Sequence, residues 1–185
     1  MNQFIEFQDV SKRFGSEVVL DGFSRRFPLG EASCIMGRSG VGKTTIFRLI
    51  LGLIRPDSGI IQIPNGIKTA AVFQENRLIR HMSALENVFL VVEDSAVQRI
   101  RAEELLSRMG FDAALFEKRI DELSGGQQRR VAIARALIAD ADVILMDEPL
   151  KGLDTKTLEV VCGVINEETR GRTLIFSTHD RNEAE

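Results

Sequence analysis

The chain has 185 residues, of which 44% are hydrophobic and 28% charged, and its formal net charge is −3. This composition is close to average globular usage and excludes disordered, collagen-like and disulfide-scaffold classes. The net negative charge provides no basic surface for nucleic acid, so we expect no nucleic-acid partner. The length predicts a single domain over residues 1–185.

The cysteines and the apolar segments indicate in which cellular compartment the protein is expected. Cys34 and Cys162 lie in apolar runs, which predicts two reduced, buried thiols in a cytosolic protein. The N-terminus lacks the basic and apolar regions of a signal peptide, so we expect that the protein is not exported. The apolar stretch at residues 46–54 is interrupted by Arg48 and is shorter than the roughly 18 residues of a membrane span. Any membrane role therefore requires a partner.

The first half of the chain predicts strands around one glycine-rich loop. Turn signals and weak alternation predict antiparallel β parts at about residues 1–30, and residues 57–67 predict a small hairpin. The run Ala32–Met36 is apolar or small throughout, which predicts a parallel strand buried on both faces. It leads into the glycine loop, and helical spacing follows from Lys43 to Leu51.

The second half alternates helices and strands. Residues 76–122 predict a helical insertion with one apolar face, formed by Ile100, Leu105, Leu106 and Met109. A strand at residues 70–73 precedes this insertion and ends at Gln74. After it we predict a helix following Gln127, a buried strand at 143–146, a helix at about 155–168 and a strand at 173–177. In such α/β sheets ligands bind at the carboxyl ends of the strands.

The glycine loop matches the pattern G-x-x-x-x-G-K-[ST] between a strand and a helix. Its glycines allow backbone N–H groups to turn inward and bind phosphate oxygens at the helix N-terminus. The lysine is expected to reach the outer phosphates of Mg-ATP, and the threonine hydroxyl to ligate Mg²⁺. The predicted phosphate-binding residues are Gly37, Arg38, Ser39, Gly40, Val41, Gly42, Lys43 and Thr44.

The fold class that follows is α/β, a P-loop NTPase core with a mostly parallel sheet. An N-terminal antiparallel β subdomain and a small helical subdomain complete it.

Two acidic residues follow the predicted buried strand at 143–146. Asp147 is positioned to hold magnesium through water, and Glu148 to orient the attacking water or accept its proton. The alternative is that one of the two carboxylates only caps the following segment.

A second helix start has small residues and a hydroxyl, in the segment Leu123–Gln127. Such a helix start is a possible second anion site, whereas simple capping would need only Ser124. Two phosphate-binding helix starts are hard to explain with one nucleotide on one chain, and they are explained if two chains face each other. Gln74 alone indicates little, because most glutamines after strands are merely solvated. His179 alone also indicates little, because a lone histidine is more often structural or exposed than catalytic.

Taken in their order along the chain, these motifs resemble those of the ATP-binding subunit of an ABC transporter. The resemblance covers nearly the whole chain. The most specific element is Leu123–Gln127, which general P-loop proteins lack. The resemblance implies ATP and Mg²⁺ as ligands and ATP hydrolysis that energises transport. The implied catalytic residues are Lys43, Gln74, Glu148 and His179, and the implied metal contacts are Thr44, Gln74 and Asp147.

The resemblance also assigns nucleotide contacts outside the core motif. It extends the phosphate loop to Thr45, and it places Phe14 against adenine, where the family often has tyrosine. The D-loop aspartate of the family corresponds to Asp154. The signature residues that would face the nucleotide of a second chain are Ser124, Gly125, Gly126 and Gln127.

The partners implied are a second copy in a head-to-tail dimer, a transmembrane permease and an extracytoplasmic solute-binding protein. The subunit would then sit on the inner face of the cell membrane. The segments 72–78 and 85–88 look most like the subgroup serving nitrate, sulfonate and taurine uptake, which implies import of a small anion or organic solute. Lys151 departs from the small residue common in the family. Family members usually continue well beyond the position of His179, so a naturally minimal chain and a shortened one both stay open.

Three other functions are compatible with parts of the pattern. A chromosome- or repair-type ATPase shares the signature but needs a long insertion and usually positive charge. A small P-loop nucleotide kinase leaves Leu123–Gln127 unexplained. A non-transport regulator that binds ATP without turnover leaves Glu148 and His179 unexplained.

Overall fold

The computed structural model describes residues 3–180 and residue 183. Within these residues the chain forms seven β-strands and five α-helices, with short 3₁₀ turns at Ala113–Leu115 and Ile120–Glu122. The strands are β1 (Phe4–Phe14), β2 (Glu17–Pro28), β3 (Ala32–Met36), β4 (Ser58–Gln62), β5 (Thr69–Val72), β6 (Val143–Asp147) and β7 (Thr173–Thr178). The helices are α1 (Lys43–Ile50), α2 (Ala84–Phe89), α3 (Ala96–Arg108), α4 (Gly125–Ile138) and α5 (Thr155–Glu168).

The chain divides into two compact units. Unit 1 comprises Met1–Thr69, Ala141–Glu148 and Gly171–Glu185, and unit 2 comprises Ala70–Asp140 and Pro149–Arg170. Each unit combines segments distant in sequence. The predicted helical insertion therefore belongs to a unit that also contains α4 and α5, whereas the prediction of a single domain over 1–185 stays a prediction.

An antiparallel sheet in unit 1 has the strand order β2-β1-β4. Phe7 packs edge-on against Phe23 and Phe27, at ring-centroid distances of 5.5 and 6.1 Å, which forms the apolar core below this sheet. The predicted hairpin at 57–67 is wrong in detail. Only Ser58–Gln62 is a strand, and it pairs with β1, as in Phe7 opposite Ile61.

The parallel sheet of unit 1 contains β3, β7 and β6 in that order. Every residue of β6 is buried, as its continuous apolar run predicts. The prediction that β3 is buried on both faces is wrong, because Ala32 and Met36 are exposed and the three residues between them are half-buried. The physical reason is its place at the end of the strand order, with β7 as its neighbour.

Unit 2 is built around α4, against which α2, α3 and α5 pack. Leu105, Leu106 and Met109 are buried as predicted, but Ile100 is 56% exposed. Five residues of helix correspond to about 500°, so Ile100 lies some 140° around the axis from Leu105 and away from the buried face. Arg108, in the last turn of α3, forms an ion pair of 2.7 Å with Glu167 of α5.

Cys34 and Cys162 are free thiols, but both are half-buried rather than buried. Cys34 loses part of its expected cover because it lies in the edge strand β3, although partial burial still raises the pKa of its thiol. In the ranges 3–180 and 183, no helix combines the length and the apolar character that crossing a membrane demands.

Candidate functional site

The glycine loop of unit 1 ends at Gly42, which is the residue before helix α1. Gly42 has φ of 102°, and a Cβ there would lie 3.0 Å from Val19 Cγ1 and 3.1 Å from Leu20 Cδ2. Both the backbone angle and the close approach of β2 therefore require glycine. Gly42 offers no side chain to cap the helix, so the N-terminal amides of α1 are not capped by it and are suited to an anion.

Lys43 is the first residue of α1 and is only 5% exposed. Its ammonium donates to the carbonyl oxygens of Gly37 at 2.7 Å and Arg38 at 3.1 Å, so the cation lies inside the turn of the loop. It is also 3.5 Å from Glu148 Oε1. A buried ammonium held by neutral carbonyls and a carboxylate is suited to bind an anionic phosphate.

The next residue connects the loop to the end of strand β6. The hydroxyl of Thr44 donates to Asp147 Oδ2, and the hydroxyl of Ser177 donates to Asp147 Oδ1 at 2.6 Å. Asp147 is only 2% exposed. In the parallel pairing of β6 with β7, Asp147 lies opposite Ser177. Each oxygen of the Asp147 carboxylate therefore accepts a hydrogen bond from a hydroxyl group.

Glu148 follows β6 in a left-handed backbone conformation, with φ of 47°. Its amide donates to Ser177 Oγ at 3.0 Å and to the Ser177 carbonyl oxygen at 3.2 Å. Its carboxylate oxygen Oε1 lies 3.6 Å from Nδ1 of His179, which is 57% exposed. A non-glycine residue held at positive φ is strained, and such strain concentrates at functional sites.

These contacts bring Lys43, Thr44, Asp147, Glu148 and His179 together in unit 1, and the roles assigned to them in the sequence stay predictions. Sequence reasoning missed Ser177 as a site residue. The signal available was its position at the end of the strand before His179, next to the strand that ends in Asp147.

The remaining residues of the loop differ in exposure. Val41 is 54% exposed, and its Cγ1 would lie 2.6 Å from a Cβ at Gly37, so the loop folds tightly over Gly37. Gly40 has φ of 84°, which also favours glycine. Arg38 and Ser39 are exposed, and Thr45 is buried against the core.

Phe14 lies at the end of β1, opposite Glu17 of β2. Its ring is 44% exposed, and the ammonium of Lys12 lies 5.6 Å from the ring centroid. An exposed ring is available for stacking, and its assignment to adenine stays a prediction.

The signature residues lie in unit 2, at the start of α4. Ser124 is the N-cap: its hydroxyl accepts from the amide of Gln127 at 3.3 Å, and Gln127 Oε1 accepts from the amide of Ser124 at 2.8 Å. This capping box leaves Ser124 and Gly125 exposed. A Cβ at Gly126 would lie 3.6 Å from Leu153 Cδ2, an ordinary van der Waals distance, so packing does not require glycine at this position.

Asp154 caps α5 and Gln74 follows β5, both in unit 2. Asp154 accepts from the hydroxyl of Thr157 at 2.6 Å and from its amide at 3.1 Å. These hydrogen bonds, first of all that from the Thr157 hydroxyl, lower the pKa of the Asp154 carboxyl. Gln74 is exposed. The structure therefore gives Asp154 a helix-capping role that the sequence motif alone does not indicate.

A metal ion would find oxygen ligands at the contact between Thr44 and Asp147. Mg²⁺ usually binds one or two carboxylates and keeps waters or substrate phosphates as its other ligands. One hydroxyl and one carboxylate at hydrogen-bond distance fit that donor set. Among the residues described, no group of three or more His, Cys, Asp or Glu side chains could hold a metal ion.

Comparison with known proteins identifies the family. The family model described as ABC transporter matches residues 20–151. The chain belongs to the ABC transporter family. Its P-loop NTPase core, with an antiparallel N-terminal sheet and a parallel sheet, agrees with the predicted fold class.

Individual relatives agree with this assignment. The Fe(3+) ions import ATP-binding protein FbpC of Escherichia coli O157:H7 is 40% identical, over 98% of this chain and 56% of the relative. Its namesake in Brucella melitensis is 39% identical, over 97% of this chain and 55% of the relative. This chain thus spans about half the length of these curated ABC relatives.

A solved structure of similar size also matches. It is the dimeric post-hydrolysis state of the ATP-binding cassette MJ0796 bound to ADP and Pi, with a TM-score of 0.85 and 32% sequence identity. The match covers 96% of this chain and 89% of that chain.

Proposed function

We propose that this ABC family chain binds and hydrolyses Mg-ATP and thereby energises import through a separate transmembrane partner. The observation that carries the proposal is the cluster in unit 1, where Lys43 lies inside the glycine loop with its ammonium 3.5 Å from the Glu148 carboxylate. Phosphoryl transfer is catalysed by cations that neutralise phosphate charge and by a group that orients the nucleophile, and Lys43 and Glu148 fit these two roles.

Each side chain then has one task. Lys43 exchanges the carbonyl oxygens of Gly37 and Arg38 for phosphate oxygens, and the amides at the start of α1 bind the same anion. Glu148 accepts a proton from the attacking water. His179, 3.6 Å from Glu148, is close enough to the base to contact the terminal phosphate through its exposed imidazole.

Thr44 and Asp147 would hold Mg²⁺, which, when bound, neutralises negative charge on the phosphates. Ser177 keeps the second oxygen of Asp147 engaged at 2.6 Å, so the carboxylate presents a fixed orientation. We include Gln74 as a further contact to metal and water, and Phe14 as the adenine contact.

Two copies of the chain would complete the catalytic site. We propose a head-to-tail dimer in which Ser124, Gly125, Gly126 and Gln127 of one copy face the nucleotide held by Lys43 of the other. The exposed start of α4 supports this role, as does the dimeric state named for the MJ0796 cassette. Asp154 would lie near the same interface.

The remaining partners follow from an import system: a transmembrane permease and an extracytoplasmic solute-binding protein, with this subunit on the inner face of the cell membrane. The relatives compared above are named as Fe(3+) importers. Those names support import of a small ion and give no support to the nitrate, sulfonate and taurine subgroup, which stays a prediction from the segments 72–78 and 85–88.

The direct test uses the Glu148→Gln variant, which keeps the shape of the side chain and removes the base. We expect kcat for Mg-ATP to fall about 10²- to 10⁴-fold, the usual contribution of a general base. Light scattering should show monomers without nucleotide and dimers with Mg-ATP, because the ATP-bound state no longer turns over.

The matched control is the double variant Lys43→Ala/Glu148→Gln, which should neither retain ATP nor dimerise. Dimers of the double variant with Mg-ATP would show association independent of the loop. A wild-type chain that binds Mg-ATP without hydrolysing it, alone and with its permease, would instead favour a regulator that does not turn ATP over.

A further inference from the structure

Arg129 of helix α4 is a buried cation that lies outside the glycine loop, the acidic pair and the segment Ser124–Gln127. It is 5% exposed, although arginine is rarely buried without strong partners. Its partners include backbone and side-chain oxygens of two segments of unit 2. Nε donates to the Pro149 carbonyl oxygen at 3.0 Å, and Nη1 donates to the Phe73 carbonyl oxygen and to Asn76 Oδ1 at 3.2 Å.

The two carbonyl groups are next to functional residues in the chain. Phe73 directly precedes Gln74, and Pro149 directly follows Glu148. A single guanidinium therefore donates to the carbonyl group of the residue before Gln74 and to the carbonyl group of the residue after Glu148. Because the guanidinium is planar and its donors have fixed directions, it sets the spacing between the two carbonyl groups.

The segment after Gln74 has a second attachment on the same helix. Arg135 donates to the carbonyl oxygens of Arg77 at 3.0 Å and Asn76 at 3.3 Å. Arg77 has φ of 47°, and its guanidinium lies 3.7 Å from the centroid of the Phe73 ring. The segment is thus held in a strained turn, and Arg129 is the residue that joins this turn to Pro149.

We infer that Arg129 is a positioning residue for ATP hydrolysis, which fixes the backbone at Phe73–Gln74 relative to the backbone at Pro149. The inference rests on the proposed function. Arg129 acts through the two carbonyl groups that accept its hydrogen bonds. Truncating it leaves these carbonyl groups without their shared donor, so the two segments move independently.

The test compares Arg129→Met with Arg130→Met in the 185-residue chain. Arg130 is a matched control because it is half-buried on the same helix and donates to two other carbonyl oxygens, those of Met109 at 2.7 Å and Gly110 at 3.1 Å. We expect Arg129→Met to lower kcat for Mg-ATP about 10-fold or more while KM changes less than about 3-fold, since small misplacements of catalytic groups are costly. Arg130→Met should keep kcat within about 2-fold of wild type.

A second readout does not depend on turnover. Hydrogen–deuterium exchange should accelerate at residues 73–79 and 150–153 in Arg129→Met and stay unchanged there in Arg130→Met. The variant Arg129→Lys, which keeps the charge but not the two fixed donors, should resemble Arg129→Met in both readouts.

Unchanged exchange in both segments, or recovery of wild-type kcat by Arg129→Lys, would overturn the inference. Absence of ATP hydrolysis in the wild type would instead count against the proposed function, and the exchange data would still decide the role of Arg129.

Discussion

Gly42 is the residue at which backbone conformation and packing both restrict the side chain. Its φ of 102° is rare for other residues, and an added Cβ would lie 3.1 Å from the carbonyl oxygen of Val19 as well as close to its methyl group. We expect Gly42→Ala to lower the free energy of unfolding by about 1–3 kcal/mol, the usual range for such strain. Urea unfolding would measure it.

The matched substitution for Gly42→Ala is Gly163→Ala. Gly163 lies inside α5 with no atom within 4 Å of its added Cβ. Alanine favours helix over glycine by about 1 kcal/mol, so Gly163→Ala should raise the free energy of unfolding. Equal effects of the two substitutions would show that Gly42 is not conformationally restricted.

The hydroxyl of Ser177 bonds to both acidic residues of the site, although the sequence analysis did not identify Ser177 as a site residue. It is fully buried, donates to Asp147 at 2.6 Å and accepts from the amide of Glu148 at 3.0 Å. We expect Ser177→Ala to cost about 1–3 kcal/mol of unfolding free energy, because a buried carboxylate oxygen and a buried amide both lose a partner. It should also lower kcat for Mg-ATP. Steady-state kinetics and urea unfolding on the same sample would measure both.

Ser107→Ala is the control for Ser177→Ala, because Ser107 is exposed and its hydroxyl donates to the Glu103 carbonyl oxygen within the same helix. It should change the unfolding free energy by less than about 0.5 kcal/mol and leave kcat unchanged. A Ser177→Ala enzyme with wild-type kcat would mean that Asp147 is held in place without this hydroxyl.

At the scale of elements, sequence patterns predict most helices and strands but not which faces they cover. Apolar runs correctly predict β6 and β7, and the glycine loop correctly predicts the start of α1. The same apolar pattern does not reveal that β3 is an edge strand, because exposure depends on strand order, which no local pattern contains. Likewise residues 57–67 contain turn signals, but only long-range pairing with β1 determines that a single strand forms there.

Helix α5 offers a pH-dependent prediction through its N-cap. The pKa of Asp154 is lowered in the folded protein by its hydrogen bonds to Thr157. A carboxyl with a depressed folded pKa stabilises the helix start above its unfolded pKa, and this contribution is lost as the pH falls through the folded value. We therefore expect the amides of residues 156–158 to exchange faster below about pH 4, the ordinary range of aspartate.

The control for this prediction is Asp154→Asn, whose side chain still caps but does not titrate in this range. Its exchange rates, corrected for intrinsic pH effects, should be flat where those of the wild type rise. Parallel pH profiles for the two proteins would assign the acid sensitivity to another group.

At the scale of the whole molecule, the sequence indicates why the residues around Lys43 lie together. Each of them lies at or just after the end of a strand of one parallel sheet, or at the start of the helix that follows such a strand. The relation between Lys43 and Ser124 is different, since these residues lie in separate compact units. Their predicted meeting across two copies rests on chemistry. The sequence predicts two anion-binding helix starts, and one bound ATP needs only one of them.

Complementation between two inactive variants tests this composite site. Lys43→Ala disables the glycine loop, and Ser124→Arg blocks the exposed start of α4, so each variant alone should be inactive. In a head-to-tail heterodimer one site would combine Lys43 of the second variant with Ser124 of the first, and both would be intact. An equimolar mixture should therefore recover about a quarter of wild-type ATPase activity, since half of the dimers are mixed and each has one working site. If the mixture stays inactive while the two variants associate, Lys43 and Ser124 do not serve the same nucleotide across the dimer.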